Sequence, residues 1–288
     1  MRDICWERYP HVGQLPRARS WLQIQGNLGL AHNTIDAYGR GLNDYLGFCV
    51  RQNVRPEIVT REHIALYVQD LASRPNPKGD NIVQLASQSG LSSSTMQQRI
   101  TVVRLYHEYL KEQQIRDDTP LHRGHYVPGK GFGGLRDRGL LPKHHKLPWI
   151  PSDSQWRDIL QALKQEPLRN RLMLLLAYDG ALRRQELVTV EMGDFDFAYQ
   201  QVRIPAERAK NGSERVVSYS ATTSDLLQSY LSHRRVLSTS TGPLFLSKSR
   251  RNPGSPLSLV MWSKIVQQIA QRAGVPRFTT HTPRHLRF

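Results

Sequence analysis

Leu172-Met173-Leu174-Leu175-Leu176-Ala177 is apolar on every side and runs through Tyr178-Asp179-Gly180 into Ala181-Leu182-Arg183-Arg184-Gln185-Glu186-Leu187. A helix with no polar face is a buried helix, and the Asp-Gly pair ends it. A second helical start carrying Arg183 and Glu186 therefore follows directly on a buried one. These two lie at i and i+3, on one helical face, where Glu186 can hold the guanidinium from behind. Upstream, Ser152-Asp153-Ser154-Gln155 has the pattern of a capping box and opens an amphipathic helix through Trp156, Ile159, Leu160 and Leu163. Downstream, Gln201-Val202-Arg203-Ile204 and Arg215-Val216-Val217-Ser218-Tyr219 alternate and hold β-branched residues, which predicts two strands of a small antiparallel sheet. Between them Asn211-Gly212 is a turn signal, so Lys210 rides on the tip of a hairpin. Helices are expected over Asp225–Leu237 and Leu257–Ala273, separated by a Gly/Pro/Ser-rich span containing Lys248, Arg250 and Arg251.

The chain ends His281-Thr282-Pro283-Arg284-His285-Leu286-Arg287-Phe288. Pro283 suits the first position of a helix, with Thr282 before it as N-cap. Taken alone, the stretch reads equally as a basic tail or as the first turn of a helix.

Toward the N-terminus the pattern is purely helical. Ile35, Tyr38, Leu42, Tyr45, Leu46 and Cys49 recur at steps of three and four. Thr60 can cap a helix carrying Ile64, Tyr67, Val68 and Leu71, and Ser92, Ser93 or Ser94 another carrying Met96, Ile100, Val103 and Leu110. Residues 74–90 read as a loop. The domains expected are an N-terminal arm over residues 1–30, a helical domain over 31–120, a basic Gly/Pro-rich linker over 121–149 and a second domain over 150–288. Linker residues Arg123, Lys130, Arg136, Arg138, Lys143 and Lys146 are read as a strap along a phosphate backbone; a solvated linker is the plainer account. The fold class is mainly α with a small antiparallel β-sheet.

Composition narrows the function. A chain of 288 residues favours two domains. Its 40 Lys and Arg against 24 Asp and Glu give a net charge of +16, which points to a polyanionic partner and first to double-stranded DNA. No apolar run of about 18 residues could span a bilayer, and Met1–Pro10 lacks a signal-peptide core. No membrane association is expected, and the location expected is the bacterial cytoplasm or nucleoid. Cys5 and Cys49 lack metal-ligand spacing, and His144-His145 has no partner at ligand spacing, so neither metal nor cofactor is expected.

Gly180–Leu187, Ala209–Val217 and His281–His285 resemble, in order and spacing, the three box regions of the tyrosine recombinases, or phage-type integrases. The likeness covers roughly residues 30–288. Singly, each box is weak: Arg183 could pair with Glu186 on a surface, Arg184 competes one position along, and Lys210 could be a solvated turn residue. The resemblance implies a helical core-binding domain followed by an α+β catalytic domain, the two forming a clamp on duplex DNA. It implies that Arg183 and Arg284 hold the scissile phosphate, that Lys210 protonates the leaving 5′ oxygen, and that His281 donates to the phosphate with His285 assisting. Family members self-associate as tetramers on DNA. Their nucleophilic Tyr lies some thirty or more residues beyond the His-x-x-Arg box, whereas this sequence stops four residues past Arg284. The expectation is therefore a catalytic domain incomplete at its C-terminus, which binds DNA but does not cleave it. Tyr38, Tyr45, Tyr106 and Tyr109 fall on apolar helical faces and are expected in the core. The rival readings are a non-catalytic DNA-binding regulator of the same fold and, more distantly, a metal-dependent nuclease, which the absence of a carboxylate cluster disfavours.

Overall fold

The structure is a computed structural model and describes residues 4–74, 91–121 and 147–287. The chain divides into two compact units, Met1–His145 and Lys146–Phe288. Mostly helical secondary structure with one three-stranded antiparallel sheet makes up the described residues. Among them no helix is long and apolar enough to cross a membrane.

The first unit holds α1 (Pro10–Gln14), α2 (Pro16–Asn27), α3 (His32–Arg51), α4 (Arg61–Ser73) and α5 (Ser93–Glu112). The expected caps form: Thr60 and His63 make a capping box at α4, and the Ser92 hydroxyl accepts from the Thr95 N–H at α5. Residues 4–30 are not an arm. Tyr9, Val12, Ala18, Trp21 and Leu22 lie in the same core as Leu42, Tyr45, Tyr67 and Tyr106. Trp21 stacks on Tyr38 and meets Tyr106 edge-on, each at 5.8 Å between ring centroids. The stretch shows no sustained period because a proline starts each of two short helices, with Leu15 between them. The Tyr9 ring also needs Gly39, since a Cβ there would meet that ring at 2.8 Å.

The second unit holds α6 (Asp153–Leu163), α7 (Leu168–Asp179), α8 (Arg184–Val188), β1 (Phe195–Asp196), β2 (Gln201–Ile204), β3 (Arg215–Ser218), α9 (Ala221–Leu237), α10 (Leu259–Arg272) and α11 (Thr282–Leu286). α7 is buried as its composition requires, with Leu172, Met173, Leu174 and Leu176 in one core with Trp262, Phe245 and Ile269. The β2–β3 register pairs Val202 with Val217. β1, at two residues, is too short to show alternation and pairs Phe195 with Val202. α9 begins earlier than its apolar pattern suggests. Asp179, the last residue of α7, accepts from the Ser220 N–H (2.8 Å) and from the Ser220 and Thr223 hydroxyls (2.7 Å each), which fixes that start. The end of α7 is thereby tied to α9, and the turn that follows it is held from both sides.

Candidate functional site

Past Asp179 the chain turns sharply. Gly180 is packed so closely that an added Cβ would meet Val217 Cγ2 at 2.9 Å, which brings β3 against the turn. Ala181 adopts φ +46°, a left-handed conformation that a residue with a Cβ rarely takes. Leu182 is buried and anchors the turn. Arg183 is consequently the N-cap of α8, not a residue inside it.

Glu186 is 2 % exposed and organises what surrounds it. Its Oε2 accepts from the Arg183 N–H (2.7 Å) and its Oε1 from Arg183 Nη1 (2.8 Å). Arg215, the first residue of β3, donates from Nη1 to Oε1 (3.0 Å) and from Nη2 to Oε2 (2.6 Å). Burial alone would raise the carboxyl; the hydrogen bonds from Arg215 and Arg183 reverse this and hold it at about 2.

α11 packs against α7 and brings Arg284 to the same turn, where its Nη1 donates to the Ala181 carbonyl at 2.8 Å. Burial, then the charge of Arg183, pulls Arg284 below the ordinary guanidinium value, with Glu186 opposing and Arg215 adding to the depression. The helix start differs by one position from expectation. His281 is the N-cap, and the buried Thr282 hydroxyl instead accepts from the Thr279 N–H at 2.9 Å. His281 is exposed, its backbone N–H donating to the Thr279 hydroxyl at 3.4 Å. Its pKa is lowered by partial burial first, then by Arg184, His285, Arg284 and Lys210. These causes all favour the uncharged ring, which can donate or accept.

Lys210 is exposed on the 205–214 connection, where the Asn211-Gly212 turn forms with Gly212 at φ +64°. The connection is not free at its root. Arg208 makes a two-pronged pair with Asp194 (2.7 and 2.8 Å) and donates to the Thr189 carbonyl (2.6 Å), which fixes the loop two residues before Lys210. Arg184 points elsewhere than Arg183, its Nη1 donating to the Ser263 hydroxyl on α10 at 3.1 Å.

The structure thus gathers Arg183, Glu186 and Arg284 around one turn, with Lys210 and His285 among the charges that depress His281. Arg123, Lys130, Arg136, Arg138, Lys143 and Lys146 lie outside the described residues. Sequence reasoning missed Arg215 and Arg208. The Arg215 position, opening a strand after a hairpin of known interest, was the available signal. Among the described residues no group of three His, Cys, Asp or Glu side chains could hold a metal ion. What the cluster can do is bind an anion through two guanidinia, with a neutral imidazole and an ammonium alongside.

Residues 152–287 match the model of the phage integrase family. Over 265 residues the chain is 25 % identical to the tyrosine recombinase XerD of Halalkalibacterium halodurans, covering 89 % of this chain and 77 % of that protein. Among solved structures, the Tn1549 transposon integrase in complex with a circular intermediate DNA superposes with a TM-score of 0.66 at 13 % identity, covering 93 % of this chain and 84 % of that one. A lambda integrase tetramer bound to a Holliday junction gives 0.63 at 14 % identity, covering 93 % and 71 %. The three boxes, the fold they sit on and these likenesses agree: residues 152–287 match the phage integrase family, and the chain as a whole is similar to the tyrosine recombinases.

Proposed function

We propose that this chain acts on duplex DNA as the site-specific recombinase of a mobile element, gripping a scissile phosphate between Arg183 and Arg284. The observation that carries the reading is the meeting of these two guanidinia at the Ala181 turn, with Glu186 as the carboxylate between Arg183 and Arg215. Each guanidinium stays charged and can give parallel N–H bonds to a phosphate, so losing either would cost about 3 kcal/mol of transition-state stabilisation. In the cleavage step of such a recombinase a tyrosine hydroxyl loses its proton to a base and bonds to phosphorus, the bond to the 5′ oxygen breaks, and the group at Lys210 gives that oxygen its proton. His281 donates to a nonbridging oxygen, with His285 beside it. The net charge of +16 supports a polyanionic substrate. The fold shared with a transposon integrase on DNA and a tetrameric integrase on a junction supports mobile-element use and self-association on DNA.

We infer further that none of the described tyrosines is the nucleophile of that reaction, so that residues 1–288 by themselves hold the DNA without cleaving it. Tyr9, Tyr45, Tyr67, Tyr106, Tyr219 and Tyr230 are buried, Tyr38 and Tyr109 pack on the first core, Tyr178 stacks on Trp156, Tyr199 is exposed in the turn between β1 and β2, and Tyr126 lies outside the described residues. A mobility-shift assay with duplex carrying the element's ends, followed by denaturing electrophoresis, tests both halves. The expected result is a shift whose log affinity falls against log salt with a slope of about −0.9 per phosphate contact. A covalent protein–DNA adduct would overturn the binding-only reading; salt-independent affinity would overturn the phosphate grip.

A further inference from the structure

Arg215 lies in the second box but is not among the cations to which the resemblance gives a role, yet it makes the most complete contact in the cluster. Its two terminal nitrogens meet both oxygens of Glu186, at 3.0 and 2.6 Å. Arg183 uses only its backbone N–H and Nη1 on the same carboxylate, which leaves its Nε–Nη2 edge for a phosphate. A carboxylate held by Arg183 alone could rotate with it; held end-on by both terminal nitrogens of Arg215, its plane is set independently. Arg215 also opens β3 directly after the connection that carries Lys210, so the same two bonds tie the root of that hairpin to the N-cap of α8.

We propose that Arg215 is a positioning residue: through the buried Glu186 carboxylate it fixes the direction of the Arg183 guanidinium and docks the Lys210 hairpin beside it, without itself touching DNA. This rests on the reading of Arg183 as a phosphate-binding group. The two-pronged contact is the part that matters. A lysine at 215 would keep the charge but present a single point donor, unable to span both oxygens.

The test is a double-mutant cycle on the full chain, with a fluorescein-labelled duplex of about 30 base pairs as the probe. Arg183→Ala is expected to weaken binding about tenfold, the scale of one charge-assisted contact. Arg215→Gln should weaken it several-fold in the parent, yet add nothing in the Arg183→Ala background. Arg215→Lys should behave like Arg215→Gln, and because it keeps a cation beside Glu186 it carries the cycle if the glutamine variant fails to fold. Equal losses from Arg215→Gln in both backgrounds would show direct DNA contact or general support of the fold, and would overturn the proposal. Wild-type affinity in Arg215→Lys would overturn the two-pronged part of it. If Arg183→Ala itself binds normally, the phosphate reading of Arg183 fails and positioning for that purpose fails with it, an outcome separable from the others.

Discussion

Two buried polar clusters, one in each unit, solve the same problem in opposite ways. In the first, the Tyr45 hydroxyl and His107 Nε2 lie 2.7 Å apart with both residues fully buried. Burial, helped by the nearby Arg116 charge, holds His107 down to about 3, so the pair is neutral. In the second, Glu186 is equally hidden but stays ionised, because Arg215 and Arg183 supply its hydrogen bonds. Neutralising a buried group is the cheaper solution for folding alone. The second unit keeps its charges and places further cations near them: Arg284 is depressed first by burial and then by Arg183 and Arg215, with Glu186 opposing, and His281 first by burial and then by Arg184, His285, Arg284 and Lys210. Cations kept together in this way are what the proposed phosphate grip requires.

The largest effect separating the clusters should come from removing the charge at their centres. Glu186→Gln leaves Arg183 and Arg215 facing one another without a carboxylate, and is expected to destabilise the second unit by about 3–5 kcal/mol. Tyr45→Phe removes one neutral hydrogen bond and should cost the first unit about 1–3 kcal/mol. Urea unfolding of each variant gives both numbers. Equal losses would erase the distinction between paired charge and neutral pair.

Acid should separate the units by where each begins to soften. His107 is held below its ordinary 6.5, at about 3, so the unfolded chain takes the proton first. Its share of stability is intact above pH 6.5 and is lost as pH falls toward 3. Glu186 is held below its ordinary 4.5, at about 2. Its share is intact above pH 4.5 and is lost as pH falls toward 2. His281 moves in the same direction as His107, but it is exposed, and solvent screens its share. Hydrogen exchange between pH 6.5 and 4.5 should therefore rise first in peptides of the first unit, at up to about 1.4 kcal/mol per pH unit crossed. Replacing His107 with Phe should remove that early rise. A second unit that softens first would sink this assignment.

Much of this contrast was legible in the sequence, and the part that was not has a common cause. α3, α4 and α5 announced themselves because each repeats its apolar face over several turns. The Ser152 capping box and the Asn211-Gly212 turn were legible because both signals are local. α2 was missed because two of its four buried positions are Ala18 and Gly26, small residues that give little apolar signal beside Trp21 and Leu22, and α1 because five residues offer too few repeats. β1 was missed at two residues for the same reason. In the site, the Arg183–Glu186 pair spans three positions and could be read off a helical wheel. The Arg215–Glu186 pair spans 29 positions, and Arg208–Asp194 spans 14 across a hairpin; no periodicity encodes either. Ala181 hid for another reason, since nothing about an alanine signals a positive φ. Neutral clusters made by facing helices were therefore half visible, whereas the charged cluster depended on chain reversals that only the fold supplies.

The smallest stability effect is expected at Lys210, and its smallness sharpens the comparison. The side chain is exposed, and among the described residues it makes no ion pair or hydrogen bond. Its loop is held instead by Arg208 on Asp194 and the Thr189 carbonyl. Lys210→Ala should therefore change unfolding free energy by no more than about 0.5 kcal/mol, the range of an ordinary surface substitution. It also removes one positive charge from beside His281, whose pKa Lys210 helps to depress. The imidazole should then titrate at higher pH in the variant, a shift readable by NMR of its ring protons. A group that matters to its neighbours' charge and not to the fold is what a cation reserved for a substrate looks like. An unmoved His281 titration, or a loss of stability like that of Glu186→Gln, would place Lys210 with the structural charges instead.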